Sequence, residues 1–237
     1  MPPAEAVPPA TAASRRAQHV WIASPDASLG LALGDRMAAQ GWIVSHANSW
    51  FHAFSPPPPT ASVQVIDSQW TLEAWPDYRP APLPTVHWCD AVELPLLLDC
   101  RSWPSGDAFV LKPYETCQLA DWVESLQAGQ AGNLQALKRC GPMLLDLSQG
   151  RAICQGRVTP LQGRQLELLR MLVEAQGDLV PRAQIEDQLY RWGEELGSNA
   201  IDVHIHALRR KIGPGWIETL RARGYRLCPT GDAPTTL

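Results

Sequence analysis

Residues 201–227, IDVHIHALRRKIGPGWIETLRARGYRL, admit few folds. At about 100° per residue, Ile201, Ile205, Leu208 and Ile212 share one helix face and demand burial. The opposite stripe runs Asn199, Val203, His206 and Arg210, with Ala207 and Arg209 on its flanks. Asn199 or Ser198 suits the N-cap, Asp202 adds to it where Asn199 is the cap, and Gly213-Pro214 ends the helix. Trp216 to Leu220 is β-prone, 221–224 a turn, and Tyr225-Arg226-Leu227 a return strand. A helix with a short-chained, then cationic, outward stripe suits the major groove of a duplex. An arginine-tipped hairpin beside it suits phosphates or a minor groove. Arg209-Arg210-Lys211 also complements the helix dipole as an ordinary solvated cluster, so it is the hairpin at the right distance that favours nucleic acid.

The formal charge of −4 would argue against such a partner if it were evenly spread. It is not: residues 1–128 hold six Lys/Arg against thirteen Asp/Glu, and residues 129–237 hold fourteen against eleven. An acidic half joined to a basic half fits a control domain tethered to a nucleic-acid binder. At 237 residues and 45% hydrophobic content, both halves can bury a core. The six cysteines have no CxxC spacing and read as reduced, structural thiols. His204 and His206, two apart on a helix, point to different faces and make no metal pair. Residues 1–18 lack the apolar stretch of a signal peptide, and no long apolar run predicts a membrane span, so a cytoplasmic protein is expected.

Along the chain, 1–18 reads as a disordered tail. HVWIAS (19–24) reads as a buried strand and WIVSHA (42–47), SVQVID (62–67), TVHWC (85–89) and AFVL (108–111) as further strands, with helices at 27–40 and 119–127. Short apolar strands alternating with helical or connecting segments predict an α/β domain over 19–127 with a five-stranded parallel sheet. Its chemistry belongs at the C-terminal strand ends, which carry Asp26, Asp67, Cys89 and Lys112. A Gly/Gln/Ala-rich linker is expected at 128–141. Beyond it, 142–229 reads as a small antiparallel sheet, three helices and a hairpin, that is, a winged helix-turn-helix, with a tail at 230–237. The amphipathic helix 162–177 sets Leu166, Leu169 and Leu172-Val173 on one side, and 182–190 is the second helix.

LYRWGEELGSNAIDVHIHALRRKIG followed by IETLRARGYRL resembles the output domain of OmpR/PhoB-type response regulators, near their PmrA/QseB branch. The resemblance implies that Val203 touches bases, that Tyr190, His204, His206, Arg209 and Thr219 meet phosphates, and that Arg221 enters the minor groove. Asn199, Arg210, Arg223 and Tyr225 join them as DNA-binding residues. Ala207 stands where some relatives place a base-reading arginine. The 191–198 loop resembles an element that touches RNA polymerase, and a homodimer on DNA is implied.

The first half resembles the family's receiver domain more weakly. Asp67 stands where the phosphoacceptor is placed, and Lys112-Pro113 matches a Lys-Pro of that family. The pocket is incomplete: Pro25 stands in the place of one of two acids, Cys89 replaces a hydroxyl, and Phe109 takes the aromatic switch position. Ala108 and Trp122 replace an acid and a base used in receiver pairing, and the third helix is nearly lost to proline-rich sequence. A missing carboxylate weakens Mg²⁺ binding, and phosphoryl transfer depends on that metal. No cofactor is expected, save Mg²⁺ if the pocket still functions. The expectation is a sequence-specific DNA-binding transcriptional regulator with a degenerate receiver and no enzymatic output, independent of phosphorylation. The rivals are a conventional regulator phosphorylated on Asp67 and an interaction protein with a vestigial winged helix.

Overall fold

The computed structural model describes residues 18–48, 56–73, 82–100, 102–112, 116–190 and 200–228. Most of both expected tails, the proline-rich stretch 75–81, Pro113, the 191–198 loop and Asn199 lie outside the described residues. No helix among the described residues is long and apolar enough to cross a membrane. The chain divides into two compact units, residues 1–86 with 114–129 and residues 87–113 with 130–237.

The sheet that opens the chain has the order β2-β1-β3-β4-β5. Its strands are β1 (His19–Ala23), β2 (Ile43–Ala47), β3 (Val63–Asp67), β4 (Thr85–Cys89) and β5 (Ala108–Leu111). β1 pairs in parallel with β2 through Val20↔Val44 and with β3 through Val20↔Val63. This is the order of the flavodoxin-like doubly wound fold, whose ligand crevice opens where the winding reverses, between β1 and β3. β1, β3, β4 and β5 are buried along their whole length, which is why they read as apolar runs. Helix α1 (Ala27–Ala39) buries Leu33 and Met37 and is followed by Gly41 at φ 87°.

Two helices here were not anticipated. α2 (Ser68–Glu73) follows β3 directly, so the region expected to have nearly lost its helix keeps a short one. α3 (Glu93–Cys100) contains Pro95, which is tolerated because amides of the first turn have no intrahelical partner. Helix α4 (Thr116–Gln127) starts three residues earlier than expected.

In the second unit, His87 and Asp107 form a buried pair, Nε2 to Oδ2 2.9 Å. The His87 ring lies against Phe109 at 4.9 Å and edge-on to Trp103 at 4.4 Å. Phe109, at the expected switch position, is thus packed inside, 1% exposed.

The expected linker is more structured than its composition suggested. It holds a 3₁₀ turn (Leu134–Ala136) and strand β6 (Leu137–Cys140). Asn133 is buried, and its side-chain amide pairs with both backbone groups of Phe109: the Phe109 N–H donates at 2.7 Å, and Asn133 Nδ2 donates to the Phe109 carbonyl at 2.8 Å. A Cβ on Gly132 would lie 1.7 Å from the Asp107 carbonyl oxygen, so only glycine allows this approach. Asn133→Ala should therefore leave two buried polar groups unmet and cost about 2–4 kcal/mol of stability, measured by urea unfolding. A loss below about 0.5 kcal/mol would show that the clamp carries nothing.

β6 joins β7 (Met143–Asp146), β8 (Arg151–Cys154) and β9 (Arg157–Pro160) in an antiparallel sheet of order β6-β7-β8-β9. Its Gln155-Gly156 turn has both residues at positive φ, as a tight hairpin requires. Then come α5 (Arg164–Glu174), β10 (Val180–Pro181), α6 (Arg182–Leu189), α7 (Ala200–Ile212), β11 (Ile217–Leu220) and β12 (Gly224–Leu227). The last strands form a three-stranded sheet, β10-β12-β11. One core joins Leu168, Leu169, Leu172 and Val173 of α5 to Ile185 and Leu189 of α6 and the apolar face of α7.

Candidate nucleic-acid interface

The geometry of α7 follows from its periodicity. Ile201, Ile205, Leu208 and Ile212 are buried, and Val203, His206 and Arg210 face outward, with Ala207 half-buried beside them. Val203 is 63% exposed on that outward face.

The β11–β12 hairpin is the wing. A Cβ on Gly224 (φ 149°) would lie 2.1 Å from the Val180 carbonyl oxygen, so glycine alone permits the close pairing with β10. The turn then presents Arg221, Ala222 (φ 57°) and Arg223 to solvent. A cavity of about 270 Å³ separates the wing from the first turn of α7, bounded by Asp202, Arg182, Thr219, Arg221 and Arg223 among others.

Several residues expected at phosphates also hold the domain together. Arg209 donates from Nε and Nη2 to the Ile217 carbonyl at 3.1 and 2.8 Å, and from Nη2 to Thr219 Oγ1 at 2.8 Å. Both residues therefore fasten the helix to the wing. Tyr225 is 3% exposed, and its hydroxyl donates to Asp202 Oδ1 at 2.5 Å. Burial, then the Asp202 carboxylate, pushes that phenol up to about 12. Asp202 is held below the usual carboxylate range by the Tyr225 hydroxyl and then by Arg182, whose Nη1 lies 3.0 Å from Oδ2. Its carboxylate thus serves this network as well as sitting in the first turn. Tyr190 is also buried, its ring beneath the Arg164 guanidinium at 4.4 Å.

Arg164, exposed at the start of α5, was missed by sequence reasoning. It lies close enough to His204 to lower that imidazole's pKa, after burial, which is the larger cause. Forty residues separate the two in sequence, and nothing in the GRQ stretch signals the approach. Among the described residues, exposed cations on this side include Arg164, Arg210, Arg221 and Arg223; Arg226 pairs with Glu218 at 2.6 Å.

The strand-end residues of the opening sheet are arranged differently from expectation. In the first unit, Asp67 is 1% exposed. Its Oδ2 accepts from the Ser24 hydroxyl at 3.1 Å and its Oδ1 from the Gln69 amide at 3.1 Å. Asp26, expected as the surviving metal acid, turns Oδ1 to the Ser28 amide at 2.9 Å and hydroxyl at 2.5 Å, capping α1. In the second unit, Cys89 is buried and donates to the Val110 carbonyl, Sγ to oxygen 3.6 Å. Burial, then Glu93, holds its thiol far above the usual range. The Lys112 amine lies 3.7 Å from the Asp90 carboxylate and 4.6 Å from the Trp88 ring centre. Mg²⁺ asks for several well-placed oxygens. In the first unit the two carboxylates are turned elsewhere, Asp26 to the cap of α1 and Asp67 to Ser24 and Gln69. Among the described residues no three His, Cys, Asp or Glu side chains are grouped to hold a metal.

Residues 156–227 match the family described as transcriptional regulatory protein, C terminal. The transcriptional regulatory protein QseB of Escherichia coli is 36% identical over 122 residues, 52% of this chain and 56% of that one. The response regulator protein PmrA of Pseudomonas aeruginosa is 35% identical over 120 residues, 51% and 54% of the two chains. The chain spans about half the length of the curated relatives it matches. Among solved structures, the response regulator DrrB of Thermotoga maritima aligns over 89% of this chain and 99% of its own, at 17% identity and a TM-score of 0.41. Residues 156–227, which include the third helix and wing described above, thus match the C-terminal domain of transcriptional regulatory proteins, and the chain is similar over about half its length to response regulators such as QseB and PmrA.

Proposed function

We propose that this protein binds double-stranded DNA sequence-specifically as a transcriptional regulator, and that aspartyl phosphorylation does not control it. The observation that carries the first part is the outward stripe Val203, His206, Arg210 of α7 beside a wing whose tip exposes Arg221 and Arg223. An apolar contact reads a thymine methyl, and arginines meet backbone or minor groove. A retardation assay with genomic fragments at about 150 mM salt tests it: saturable binding that unrelated duplex competes away at equal concentration would sink it.

The second part is supported by Asp67. Its buried carboxylate already accepts on both oxygens, and Asp26, the acid beyond the β1 end, is turned to Ser28. Asp67→Asn is expected to leave DNA affinity within about twofold. Incubation with a small phosphodonor and Mg²⁺, read by intact-protein mass, should add no stable phosphoryl group. A stable adduct at Asp67 with tighter DNA binding would establish the conventional regulator instead. On DNA the protein forms a homodimer on half-sites about 10 bp apart, and a contact with RNA polymerase through residues 191–198 belongs to the same reading.

A further inference from the structure

Resting on the DNA-binding reading, we infer that Asp202 is a positioning residue that fixes the wing against the recognition helix and makes no contact with DNA itself. The carboxylate stands in the first turn of α7, half-exposed, at the edge of the cavity between helix and wing. A DNA backbone passing between a major-groove helix and a minor-groove wing has to cross that space, where a bare carboxylate would repel it. Asp202 is not bare. Oδ1 accepts from the Tyr225 hydroxyl at 2.5 Å and Oδ2 from Arg182 Nη1 at 3.0 Å.

Arg182 completes the tie. Its backbone amide donates to the Arg223 carbonyl in the wing turn at 3.2 Å, and its Nε donates to Glu186 of α6 at 3.1 Å. One carboxylate thereby links the second helix, the recognition helix and the return strand of the wing. The Arg209 contacts to Ile217 and Thr219 fasten the other end of α7 to β11. Each Asp202 oxygen already accepts one hydrogen bond from the domain, and these two bonds orient the carboxylate toward the wing and Arg182. What it sets is the spacing between Val203 and Arg221.

The test uses the full chain and its Asp202→Asn, Tyr225→Phe and double variants. In the absence of DNA, hydrogen exchange of the amides in 217–227 should speed up about tenfold in Asp202→Asn, the loss of one charge-assisted bond, while α5 stays protected. The duplex probe is one selected by the wild-type chain from a random-sequence pool, beside an unrelated duplex of equal length. Asp202→Asn should lose about tenfold on the selected duplex and lose minor-groove protection beside the helix footprint. Binding of the unrelated duplex should hold or tighten, since a negative charge has gone. Tyr225→Phe keeps the buried ring and should repeat the change in milder form, and the double variant should be no worse than Asp202→Asn alone, because both remove one shared interaction. Unchanged wing exchange, additive effects, or equal weakening on both duplexes would overturn the inference. If the wild-type chain selects no duplex, the DNA-binding reading fails, and the exchange measurement still decides whether Asp202 holds the wing.

Discussion

Asp107→Ala should lower the free energy of unfolding by about 3 kcal/mol, the upper part of the ordinary cost of leaving a buried hydrogen-bonding group without its charged partner. The partner left behind is His87, whose side chain is 0% exposed and whose Nε2 lies 2.9 Å from the Asp107 carboxylate. In either protonation state Nε2–H donates to that carboxylate, so alanine strands a donor among Phe109, Trp103 and the strand backbone. Water cannot replace the lost oxygen without opening the layer between β4 and Trp103, whose own indole N–H is anchored on the Leu97 carbonyl at 2.7 Å. A double change, His87→Phe with Asp107→Leu, should recover most of the loss, since well-packed apolar groups often equal or exceed a buried pair. Urea unfolding followed by circular dichroism, with comparable slopes for all variants, measures both effects. A loss of under about 1 kcal/mol in Asp107→Ala would mean that solvent reaches His87.

The apolar face of α7 was fully legible because a single physical rule decides it: Ile201, Ile205, Leu208 and Ile212 recur at helical spacing, and all four are buried. The strands β1, β3, β4 and β5 were legible for a similar reason, since sheets covered on both faces write themselves as apolar runs. What stayed hidden depends on partners distant in sequence. Arg209 and Tyr225 look like DNA contacts by residue type. The Ile217 carbonyl that engages Arg209 has no side-chain signature, and Asp202 lies 23 positions from Tyr225. β6 escaped because LKRC has no alternation of its own, and its place is set by pairing with β7, Leu137 opposite Asp146. α3 went unassigned, and its Pro95 stands in the first turn, where a proline removes no intrahelical hydrogen bond. Asp26 was read for its charge, whereas its geometry makes it a cap.

Arg221→Ala with Arg223→Ala should weaken binding to every duplex about 10–100-fold near physiological salt, and make the salt dependence shallower by about one unit for each phosphate that is no longer neutralised. Both side chains are exposed at the tip of a turn whose backbone is held by Gly224 against Val180. Their removal therefore deletes charge without disturbing the core. Three further variants distinguish a deleted phosphate partner from a loosened wing or an altered base reading. Arg226 carries the same charge on the return strand but is committed to Glu218 at 2.6 Å, so Arg226→Ala should leave affinity within about threefold. Arg209→Ala removes the bonds to Ile217 and Thr219, so it should lower thermal stability and loosen the wing, with little change in salt slope. Val203→Ala touches no charge, and should shift sequence preference at one base pair, where a thymine methyl is read, with the slope intact. Titrations of selected and unrelated duplexes between about 50 and 200 mM salt give all four results in one series. If the double arginine variant bound as tightly as the wild type across that range, the wing would lie off the DNA. The interface would then consist of α7 and Arg164 alone.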